Sequence, residues 1–570
     1  MKIIFCSVEN GIISIGFRKM ASFAKQIHPN IEVCYVTPSN MYSRIDAVVN
    51  FGNTNNEMPT KDIQIISEYL ATADLVCYSS MTPFADLTKK IVQSTRKINP
   101  KTYMVWGGIH PSVFPEDAIK FVDAVCVGEG EYSFREFIKN YKNAENYFKT
   151  SNFWFNHNGE IIKNGFRKLQ KPDDMEKFPY PLYAENESVY KKNLGFVPLT
   201  NSEYISLTGI SYHTILAIGC PFKCTYCANS VFAENDTLYR KLRYPTVDYI
   251  IGEVKSVINK QPYISNVQFM DDGFIALPLD YMKEFARKWR KEVGIPFSLS
   301  GVLPGFVREE KMEVLTSAGM IGMRMGIQSG SNRILKFYER PNRPGLILQT
   351  ANIIAKFSKY MKPPTYDIIL DNPIETRQDV IDTLELLYKM PRPFILLVYG
   401  LSVIPNTKLA ENLEKLNIKL KDISKGYLLV EPTIANAMVY MLTVFKPPRF
   451  VFDFLLKYVQ PYHVKQTKHY ALLFIFRTLW LLKRGIIGIT HMDFTELPGR
   501  LGWLCWKLGI ITFWRKVILR KKFFKEKYEQ KGSDALLEKQ ENELVGETSS
   551  SHRHIAEIDE ELAKTQSKFL

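Results

Sequence analysis

The sequence predicts an α/β protein in three parts: a doubly wound, Rossmann-like parallel-sheet domain, a partial (β/α)6 barrel and a mainly helical C-terminal region. Two series of short apolar runs alternate with stretches of helical periodicity, the first over residues 1–145 and the second over residues 205–420. Short apolar runs of this kind are typical of strands that are buried on both faces of a parallel sheet. The alternation ends after about Asn412, where aromatic and basic stretches such as YALLFIFRTLWLL begin.

The first series contains five predicted strands, KIIFCSV, IEVCYVTP, DLVCYSS, TYMVWGG and DAVCVGEG, separated by helical patterns such as PFADLTKKIVQSTRKI. Ligands of doubly wound sheets bind beyond the carboxyl ends of the strands. There the sequence places three loops that are rich in small residues, which allow a large flat ligand to approach the backbone. These loops are Ser79-Ser80-Met81-Thr82, Gly107-Gly108-Ile109-His110-Pro111-Ser112 and Gly128-Glu129-Gly130-Glu131.

The remaining elements follow in order along the chain. Residues 146–204 are predicted to be a linker with a hairpin around Asn158-Gly159. The second series has six predicted parallel strands, HTILAIG, NVQFMDD, PFSLSG, GMRMGIQ, PTYDIIL and FILLVYGLSVIP. In an open barrel of this type the chemistry lies on the loops that follow the strands. Residues 421–528 are predicted to be helical, and the polar, mixed-charge residues 529–570 to be disordered.

Composition limits the class of protein. The 570 residues are 46% hydrophobic, which suffices for the cores of several domains. The chain opens MKIIFCSVENG, without the basic region and apolar run of a signal peptide, so we expect a cytoplasmic, reducing location. In that setting clustered cysteines act as metal ligands or catalysts more often than they form disulfides. No apolar run reaches ~18 residues, so no membrane-spanning helix is predicted.

Three cysteines, Cys220, Cys224 and Cys227, lie in the stretch GCPFKCTYCAN at the spacing C-x3-C-x2-C, directly after the first strand of the second series. Zinc sites usually have four ligands, commonly two C-x2-C pairs or cysteines with histidine, and no second pair exists here. The other cysteines are Cys505 in the C-terminal region and four that fall on predicted strands, where they are expected to be small buried apolar residues: Cys6, Cys34, Cys77 and Cys126. A structural zinc protein remains an alternative.

This spacing after the first strand of a β/α barrel resembles the radical S-adenosylmethionine (SAM) superfamily. The resemblance implies that Cys220, Cys224 and Cys227 bind a [4Fe–4S] cluster whose fourth iron chelates the amino and carboxylate groups of SAM. One electron then cleaves SAM to methionine and a 5′-deoxyadenosyl radical. Because no second set of clustered cysteines is present, a ferredoxin or flavodoxin is the implied reductant.

Two further segments resemble parts of the family that lie near SAM. One is GIQSGS at 326–331, and the other is YDIILDNPIET at 366–376, which is similar to D-x-I-x-G-x-P-x-E-T but has Asp371 where glycine is usual and departs again at Ile374. The implied SAM-binding residues are Tyr226, Asp271, Gln328, Ser329, Asp367 and Glu375. For Asp271, which follows the second predicted strand together with Asp272, a helix cap or a salt bridge is the alternative role.

The first series resembles the cobalamin-binding domain that precedes the barrel in one radical SAM subfamily, which includes cobalamin-dependent methyltransferases. The resemblance is carried by GGIHP at 107–111, VGEGEYSF at 127–134, the pair Pro115-Glu116 and the linker phrase MEKFPYP at 175–181. The implied cobalamin-binding residues are Ser79, Ser80, Gly107, Gly108, His110, Gly128, Glu129 and Gly130. The D-x-H-x-x-G motif, whose histidine ligates cobalt, is absent, because residues 7–12 read SVENGI. His110 is then either a cobalt ligand or a loop residue hydrogen-bonded to backbone.

The resemblance implies methylation of an unactivated carbon. One SAM molecule recharges cob(I)alamin to methylcobalamin, and another generates the radical that removes a substrate hydrogen. One alternative is a radical cyclase, rearrangement or carbon–carbon coupling enzyme whose first domain no longer binds cobalamin. Another, of a different class, is a non-catalytic iron–sulfur or cobalamin sensor.

The net charge of +15 is concentrated near the C-terminus, because fourteen Lys and Arg but three acidic residues lie between Lys465 and Lys527. Four of the seven tryptophans lie in the same region: Trp480, Trp503, Trp506 and Trp514. Such a region either contacts the anionic inner face of a membrane, which would suit a lipid-like substrate, or forms a helical cap with its tryptophans buried. No nucleic-acid recognition motif accompanies the charge, so we expect a small-molecule or lipid-like substrate and no nucleic acid.

Overall fold

The computed structural model describes residues 1–38, 58–142, 146–183, 185–418, 430–490 and 499–514. These ranges contain both predicted β/α series and most of the predicted helical C-terminal region. The predicted disordered tail, residues 529–570, lies outside the described residues.

The N-terminal domain is built on a nine-stranded sheet of order β7-β6-β5-β4-β3-β1-β2-β8-β9. Its strands are β1 (Ile3–Val8), β2 (Glu32–Val36), β3 (Leu75–Ser79), β4 (Tyr103–Gly107), β5 (Ala124–Cys126), β6 (Phe153–His157), β7 (Glu160–Lys163), β8 (Glu187–Lys191) and β9 (Gly195–Pro198). Its helices are α1 (Ile15–Ile27), α2 (Thr60–Leu70), α3 (Ala85–Ile98), α4 (Ile109–Val113), α5 (Pro115–Ala118), α6 (Glu131–Lys142), α7 (Pro172–Met175) and α8 (Asn201–Thr208). Strands β1 to β5 pair in parallel, which confirms the predicted doubly wound sheet.

The segment 146–204 belongs to this sheet and is more than the linker that the sequence predicts. Strands β6 and β7 form the predicted antiparallel hairpin, and β6 extends the sheet beside β5. A second hairpin, β8 and β9, extends the opposite edge beside β2. Each edge strand of the five-stranded parallel core has unpaired backbone groups, and the two hairpins satisfy them.

The second domain is an open barrel of six parallel strands that pair in sequence order. The strands are β10 (Ser211–Thr214), β11 (Asn266–Phe269), β12 (Phe297–Val302), β13 (Met320–Gln328), β14 (Thr365–Leu370) and β15 (Ile395–Gly400). The accompanying helices are α9 (Ala228–Asn235), α10 (Val247–Lys260), α11 (Leu279–Lys288), α12 (Glu309–Ser317), α13 (Asn332–Phe337), α14 (Leu346–Lys356), α15 (Arg377–Lys389) and α16 (Lys408–Lys415). Each of the six predicted strands is present, and β10 and β15 are the two edges.

The described C-terminal region is helical, as predicted. Its helices are α17 (Ile434–Val444), α18 (Arg449–Leu456), α19 (Tyr470–Thr490), α20 (Gly499–Lys507) and α21 (Ile510–Phe513). Helix α17 is buried along most of its length between α15 and α19, and α20 packs on α8. Trp480 and Trp514 are buried and the ring of Trp506 contacts Tyr263, so these three tryptophans belong to a packed cap. In the described part of the chain no helix is long and apolar enough to cross a membrane.

Helix α1 is fixed to the N-terminal domain by a buried cation, and its next residue contacts the barrel. The Arg18 guanidinium donates to Glu187 Oε1 and to the carbonyl oxygen of Leu182, each at 2.8 Å, and Tyr35 donates to the same carboxylate oxygen at 2.6 Å. A buried ion pair is retained at acceptable cost only when such hydrogen bonds accompany it. The next residue, Lys19, extends toward the barrel, where its Nζ donates to the carbonyl oxygen of Ile215 just after β10.

Candidate active site

The loop that carries the three cysteines begins at a glycine that no other residue could replace without strain. Gly219 has φ +112°, and a Cβ placed on it would lie 2.4 Å from the carbonyl oxygen of Lys241. On either side of it, Ile218 forms an antiparallel bridge with Arg243, and the Cys220 N–H donates to the carbonyl oxygen of Tyr239. The start of the loop is therefore fixed against the chain segment 239–243 by close backbone contact.

The other end of the loop is fixed to the opposite side of the barrel. The Thr225 N–H donates to the carbonyl oxygen of Tyr338 at 2.9 Å, and the Thr225 carbonyl accepts from the Leu409 N–H at 2.9 Å. The Cys227 carbonyl accepts from the Ser230 hydroxyl at the start of α9. Because both ends are anchored to the protein, the loop presents its three thiols from a defined backbone.

A half-buried arginine, Arg340, lies against this loop. Its guanidinium is 3.7 Å from Cys224 Sγ, donates to the Tyr226 hydroxyl at 3.3 Å and donates to the Gly326 carbonyl oxygen at 2.6 Å. Burial and the carboxylate of Asp272 raise the pKa of the Cys227 thiol to about 12. A metal cluster binds thiolates, so its binding must displace these protons, and the charge of Arg340 favours the thiolate form.

The donor set fits a cluster better than a single ion. Within the described ranges no three His, Cys, Asp or Glu side chains converge closely enough to hold one metal ion. A cubane cluster binds each cysteine through a different iron, so its ligands stand farther apart than those of zinc. The three thiols are free of disulfides, lie in one loop and have a cation beside them, which suits a three-thiolate cluster and does not favour the zinc alternative.

The two acidic residues after β11 have different positions. Asp271 is buried, and its carboxylate accepts from the N–H groups of Ala217 at 2.6 Å and Leu216 at 3.2 Å; burial raises its pKa to about 7. It therefore holds the backbone that leads into the cysteine loop, and its predicted contact with SAM stays a prediction. Asp272 borders the cysteines, because its carboxylate accepts from Asn229 at 2.9 Å and its carbonyl oxygen lies 3.9 Å from Cys220 Sγ.

The segment after β13 packs tightly between the cysteine loop and α15. The amide of Gln328 and the guanidinium of Arg340 both occupy the space that a side chain at Gly326 would need. Ser329 is buried, lies 3.2 Å from the Thr383 hydroxyl and accepts from the Ser331 N–H. Gln328 is thus brought near Arg340, whereas the Ser329 hydroxyl is used within the protein.

A charged group inside the barrel joins three neighbouring strands. The Arg324 Nε on β13 lies 2.9 and 3.0 Å from the two carboxylate oxygens of Asp367 on β14, and Arg324 Nη2 donates to the Tyr399 hydroxyl on β15 at 2.6 Å. Burial raises the pKa of Asp367 despite the arginine. Asp367 was predicted, but Arg324 and Tyr399 were missed. The signal available in the sequence was a lone arginine within the apolar run GMRMGIQ.

The presence of Asp371, where the motif D-x-I-x-G-x-P-x-E-T has glycine, has a structural explanation. Asp371 has φ +60°, a conformation that favours glycine but that aspartate adopts more readily than most residues. Its carboxylate accepts from the Glu431 N–H and from the Asn436 side chain, each at 2.7 Å, and so ties the loop after β14 to the start of α17. Glu375 lies buried in the same loop, where burial, followed by the nearby Asp371, raises its pKa to about 8.

The loops at the carboxyl ends of β3 and β4 pack against each other. Gly108 has φ +94°, and a Cβ on it would lie 2.8 Å from Ser79 Oγ. Ser80 is buried and accepts from Trp106 Nε1 at 3.0 Å, and Gly107 lies beside Cys126 and Tyr78. These small residues therefore allow the loops to meet closely.

His110 is buried within its loop. Its Nε2 lies 3.2 Å from an Asp117 carboxylate oxygen, its backbone N–H donates to the Ser80 carbonyl oxygen, and burial lowers its pKa. The ring also packs on Trp106, with 5.1 Å between centroids. These contacts fit the structural role in the loop rather than the role of a cobalt ligand.

Large apolar side chains are exposed beside the same loops. Met81, Ile109 and Phe166 are 37%, 38% and 46% exposed, and a Cβ on Gly128 would lie 3.7 Å from the Phe166 ring. Gly130 is packed near Met20 and Cys126 at the start of α6. Exposed apolar groups around glycine-rich loops at the carboxyl edge of a doubly wound sheet fit the face of a large flat macrocycle.

The predicted cobalamin-loop residue Glu129 instead extends to the other domain. Glu129 Oε1 lies 2.6 Å from Arg243 Nη2, and Arg243 Nη1 donates to the Gln170 carbonyl oxygen at 2.8 Å. Asn406, after β15, donates to the Val113 carbonyl oxygen at 2.9 Å, and α9 packs against α4. Each of these contacts lies on loops or helices at the carboxyl ends of strands, so the carboxyl edges of the two sheets face each other.

Comparison with protein families agrees with this two-domain arrangement. Residues 18–138 match the B12 binding domain, and residues 214–387 match the radical SAM superfamily. An uncharacterised methyltransferase of Pyrococcus horikoshii is 22% identical over 348 residues, which cover 60% of this chain and 70% of that protein. The anaerobic magnesium-protoporphyrin IX monomethyl ester cyclase of Rubrivivax gelatinosus is 22% identical over 339 residues, 56% of this chain and 54% of that protein.

Solved structures share the fold. The radical SAM methyltransferase TsrM from Kitasatospora setae, solved with tryptophan substrate and a SAM analogue, superposes with a TM-score of 0.55 and 14% identity over 73% of this chain and 76% of its own. The cobalamin-dependent SAM radical enzyme OxsB, solved with aqua-cobalamin and SAM, superposes with a TM-score of 0.56 and 14% identity over 99% of this chain and 84% of its own. The second superposition extends over the C-terminal helical region as well.

Proposed function

Since the chain carries a B12-binding domain followed by a radical SAM domain, we propose that it is a cobalamin-dependent radical SAM methyltransferase that acts on an unactivated carbon. The observation that carries this proposal is the contact between the loops at the carboxyl ends of the two sheets. A methyl carrier in the first domain and a radical source in the second must both reach one substrate carbon, and the Glu129–Arg243 and Asn406–Val113 contacts hold the two edges together.

The relatives support the same class of reaction. The Pyrococcus protein and TsrM are described as methyltransferases, and OxsB is described as a cobalamin-dependent radical enzyme. When bound, the [4Fe–4S] cluster together with SAM supplies a 5′-deoxyadenosyl radical, and cobalamin supplies the methyl group. For each product formed, one SAM molecule ends as S-adenosylhomocysteine and another as methionine and 5′-deoxyadenosine, with electrons from a ferredoxin or flavodoxin.

The chain's own residues bind and orient these components. Cys220, Cys224 and Cys227 hold the cluster, while Arg340 lies beside Cys224 and Tyr226 and balances the negative charge that collects there. Asp271 fixes the backbone that enters the loop. These positions favour a rigid site, as radical chemistry requires.

The barrel interior offers a polar surface for SAM or substrate. Arg324, Asp367 and Tyr399 are linked by hydrogen bonds across β13, β14 and β15, so their side chains are held in place before any ligand arrives. On the side of the first domain, the exposed Met81, Ile109 and Phe166 provide the apolar contacts for the corrin face.

The first test uses protein made anaerobically with cobalamin supplied and its cluster reconstituted. We expect stoichiometric cobalt, about four irons per chain, and both S-adenosylhomocysteine and 5′-deoxyadenosine after reduction with SAM. Cys220→Ala, Cys224→Ala and Cys227→Ala should each abolish SAM cleavage, whereas the control Cys505→Ala, outside the loop, should retain it. Retained cleavage in any variant of the triplet would contradict the assignment of the cluster ligands.

A second candidate is a radical cyclase or coupling enzyme that uses the first domain only as a scaffold. The similarity to the Rubrivivax cyclase favours the cyclase reaction. Iron without cobalt, and 5′-deoxyadenosine without S-adenosylhomocysteine, would support this candidate over methyl transfer.

A further inference from the structure

Helix α19 has an apolar face that packs against the protein. Leu473, Trp480 and Ile487 are buried, and Trp480 Nε1 donates to the carbonyl oxygen of Leu396 on β15 at 3.2 Å. The Trp480 ring also lies edge-on to Tyr440 of α17, with 5.8 Å between centroids. These contacts fix both the position and the rotation of the helix.

A second apolar face of the same helix points outward. Its exposed members recur at spacings of three and four residues, which places them in one stripe along the helix. They are Leu472, Ile475, Leu479, Leu482, Ile486 and Ile489. Toward the C-terminal end the exposure is largest, at 59% for Leu482, 61% for Ile486 and 73% for Ile489. At 1.5 Å per residue the stripe is about 25 Å long.

The chain around this stripe is basic. No Asp or Glu occurs from residue 454 to residue 492, whereas six Lys and Arg do. Lys457, Lys465 and Lys468 are exposed, whereas Arg477 is buried and Lys483 donates to the Thr443 carbonyl oxygen. The excess of positive charge continues through Lys527. An exposed apolar stripe within a strongly cationic segment combines the two attractions by which amphipathic helices bind anionic membranes.

We propose that the outer stripe of α19 docks the protein on the surface of an anionic lipid bilayer. The helix would lie in the plane of the interface, because its other face is already packed against β15 and α17. Charge complementarity favours an anionic bilayer as the partner of the stripe. A second copy of the chain would bring two cationic surfaces together.

This surface differs from the one that the tryptophans suggest. Trp480 and Trp514 are buried, so they anchor the cap and do not insert into lipid. The exposed aliphatic residues of the outer stripe of α19 form the lipid contact. The inference does not depend on the proposed methyl transfer, because the stripe lies outside the candidate active site.

The test is sedimentation of the full-length protein with vesicles of phosphatidylglycerol and phosphatidylcholine, compared with vesicles of phosphatidylcholine alone. The stripe variant Leu482→Gln/Ile486→Gln/Ile489→Gln removes the most exposed part of the stripe without changing charge. The matched control is Leu194→Gln/Leu238→Gln/Leu416→Gln, which alters three exposed leucines elsewhere on the protein.

We expect the wild type and the control to bind the anionic vesicles, and the stripe variant to bind them about tenfold or more weakly, since three large apolar contacts are lost. Binding of the wild type should weaken at high salt and with neutral lipid. No binding of the wild type to anionic vesicles, or equal binding of the stripe variant, would overturn the proposal. A wild-type dimer that the stripe variant converts to a monomer, measured by analytical ultracentrifugation, would assign the stripe to a second copy instead.

Discussion

The ion pair between Glu129 and Arg243 joins the two domains beside the cysteine loop, and Arg243→Met tests how strongly it holds them. Methionine keeps much of the side-chain volume and the backbone bridge to Ile218, but it removes the guanidinium. The Arg243 and Glu129 side chains are 8% and 14% exposed, so the variant leaves a largely buried carboxylate that accepts from the Gln170 N–H but has lost its cation.

The expected cost follows from that burial. Removing one partner of a buried ion pair destabilises a protein by about 3–5 kcal/mol, since the remaining charge is no longer compensated. The hydrogen bond from Arg243 to the Gln170 carbonyl is lost as well, at about 1 kcal/mol. The double variant Glu129→Gln/Arg243→Met should cost less than the sum of the single changes, with a coupling of about 0.5–3 kcal/mol.

The assay is urea unfolding followed by tyrosine and tryptophan fluorescence, with limited proteolysis to detect separation of the domains. The control is Arg167→Met, because Arg167 forms an ion pair with Glu136 in which both side chains are 36% exposed, and such a pair contributes up to about 1 kcal/mol. A cost for Arg243→Met no larger than that of the control, or strictly additive costs in the double variant, would refute the assignment of this pair as an interdomain clamp.

Three further predictions test the site and its surroundings. Gly219→Ala should abolish iron loading, measured per chain after reconstitution, because the added Cβ would collide with the Lys241 carbonyl; full loading would show that the loop tolerates a shift. Burial lowers the pKa of His213 to about 4 from its usual 6.5, so between these pH values the imidazole binds a proton in the unfolded chain but not in the folded one. As the pH falls through this range, the free energy of unfolding of the wild type should therefore decrease by up to about 3 kcal/mol more than that of His213→Gln. Parallel profiles of unfolding free energy against pH for the two proteins would contradict this. Met81→Glu/Ile109→Glu should lower cobalamin content without lowering iron content, and unchanged cobalt would exclude these side chains from the corrin contact.

The parallel strands of both domains were predictable because a strand that is buried on both faces appears in the sequence as a short, continuous apolar run. KIIFCSV and FILLVYG have apolar side chains on both sides, and their neighbours show helical periodicity. The edge strands were not predicted so well. Strands β8 and β9 are short and read ESVYK and GFVP, with neither a long apolar run nor an alternation. Strand β8 owes its place to the free edge of β2, a partner more than 150 residues away.

The cysteine triplet could be singled out because its spacing is local, whereas the roles of acidic residues depend on the direction in which their side chains point. The sequence FMDD places two carboxylates after β11, but only the structure shows that Asp271 holds the backbone of Leu216 and Ala217 while Asp272 borders the cysteines. Glu129 is similar. Its position in a glycine-rich loop predicted a ligand contact, yet its side chain is long enough to reach Arg243 in the other domain.

The hydrogen bond from Trp480 to the Leu396 carbonyl has a consequence for the synthesis of the chain. Strand β15 is an edge of the open barrel, and the helix that covers it lies 84 residues later. At about 5–20 residues per second, the ribosome needs roughly 4–17 s to make that interval. During this time a nascent barrel has an uncovered strand edge, which is a template for pairing with neighbouring chains on the same message. Slow translation or loss of α19 should therefore increase aggregation of the newly made protein before any cofactor is bound.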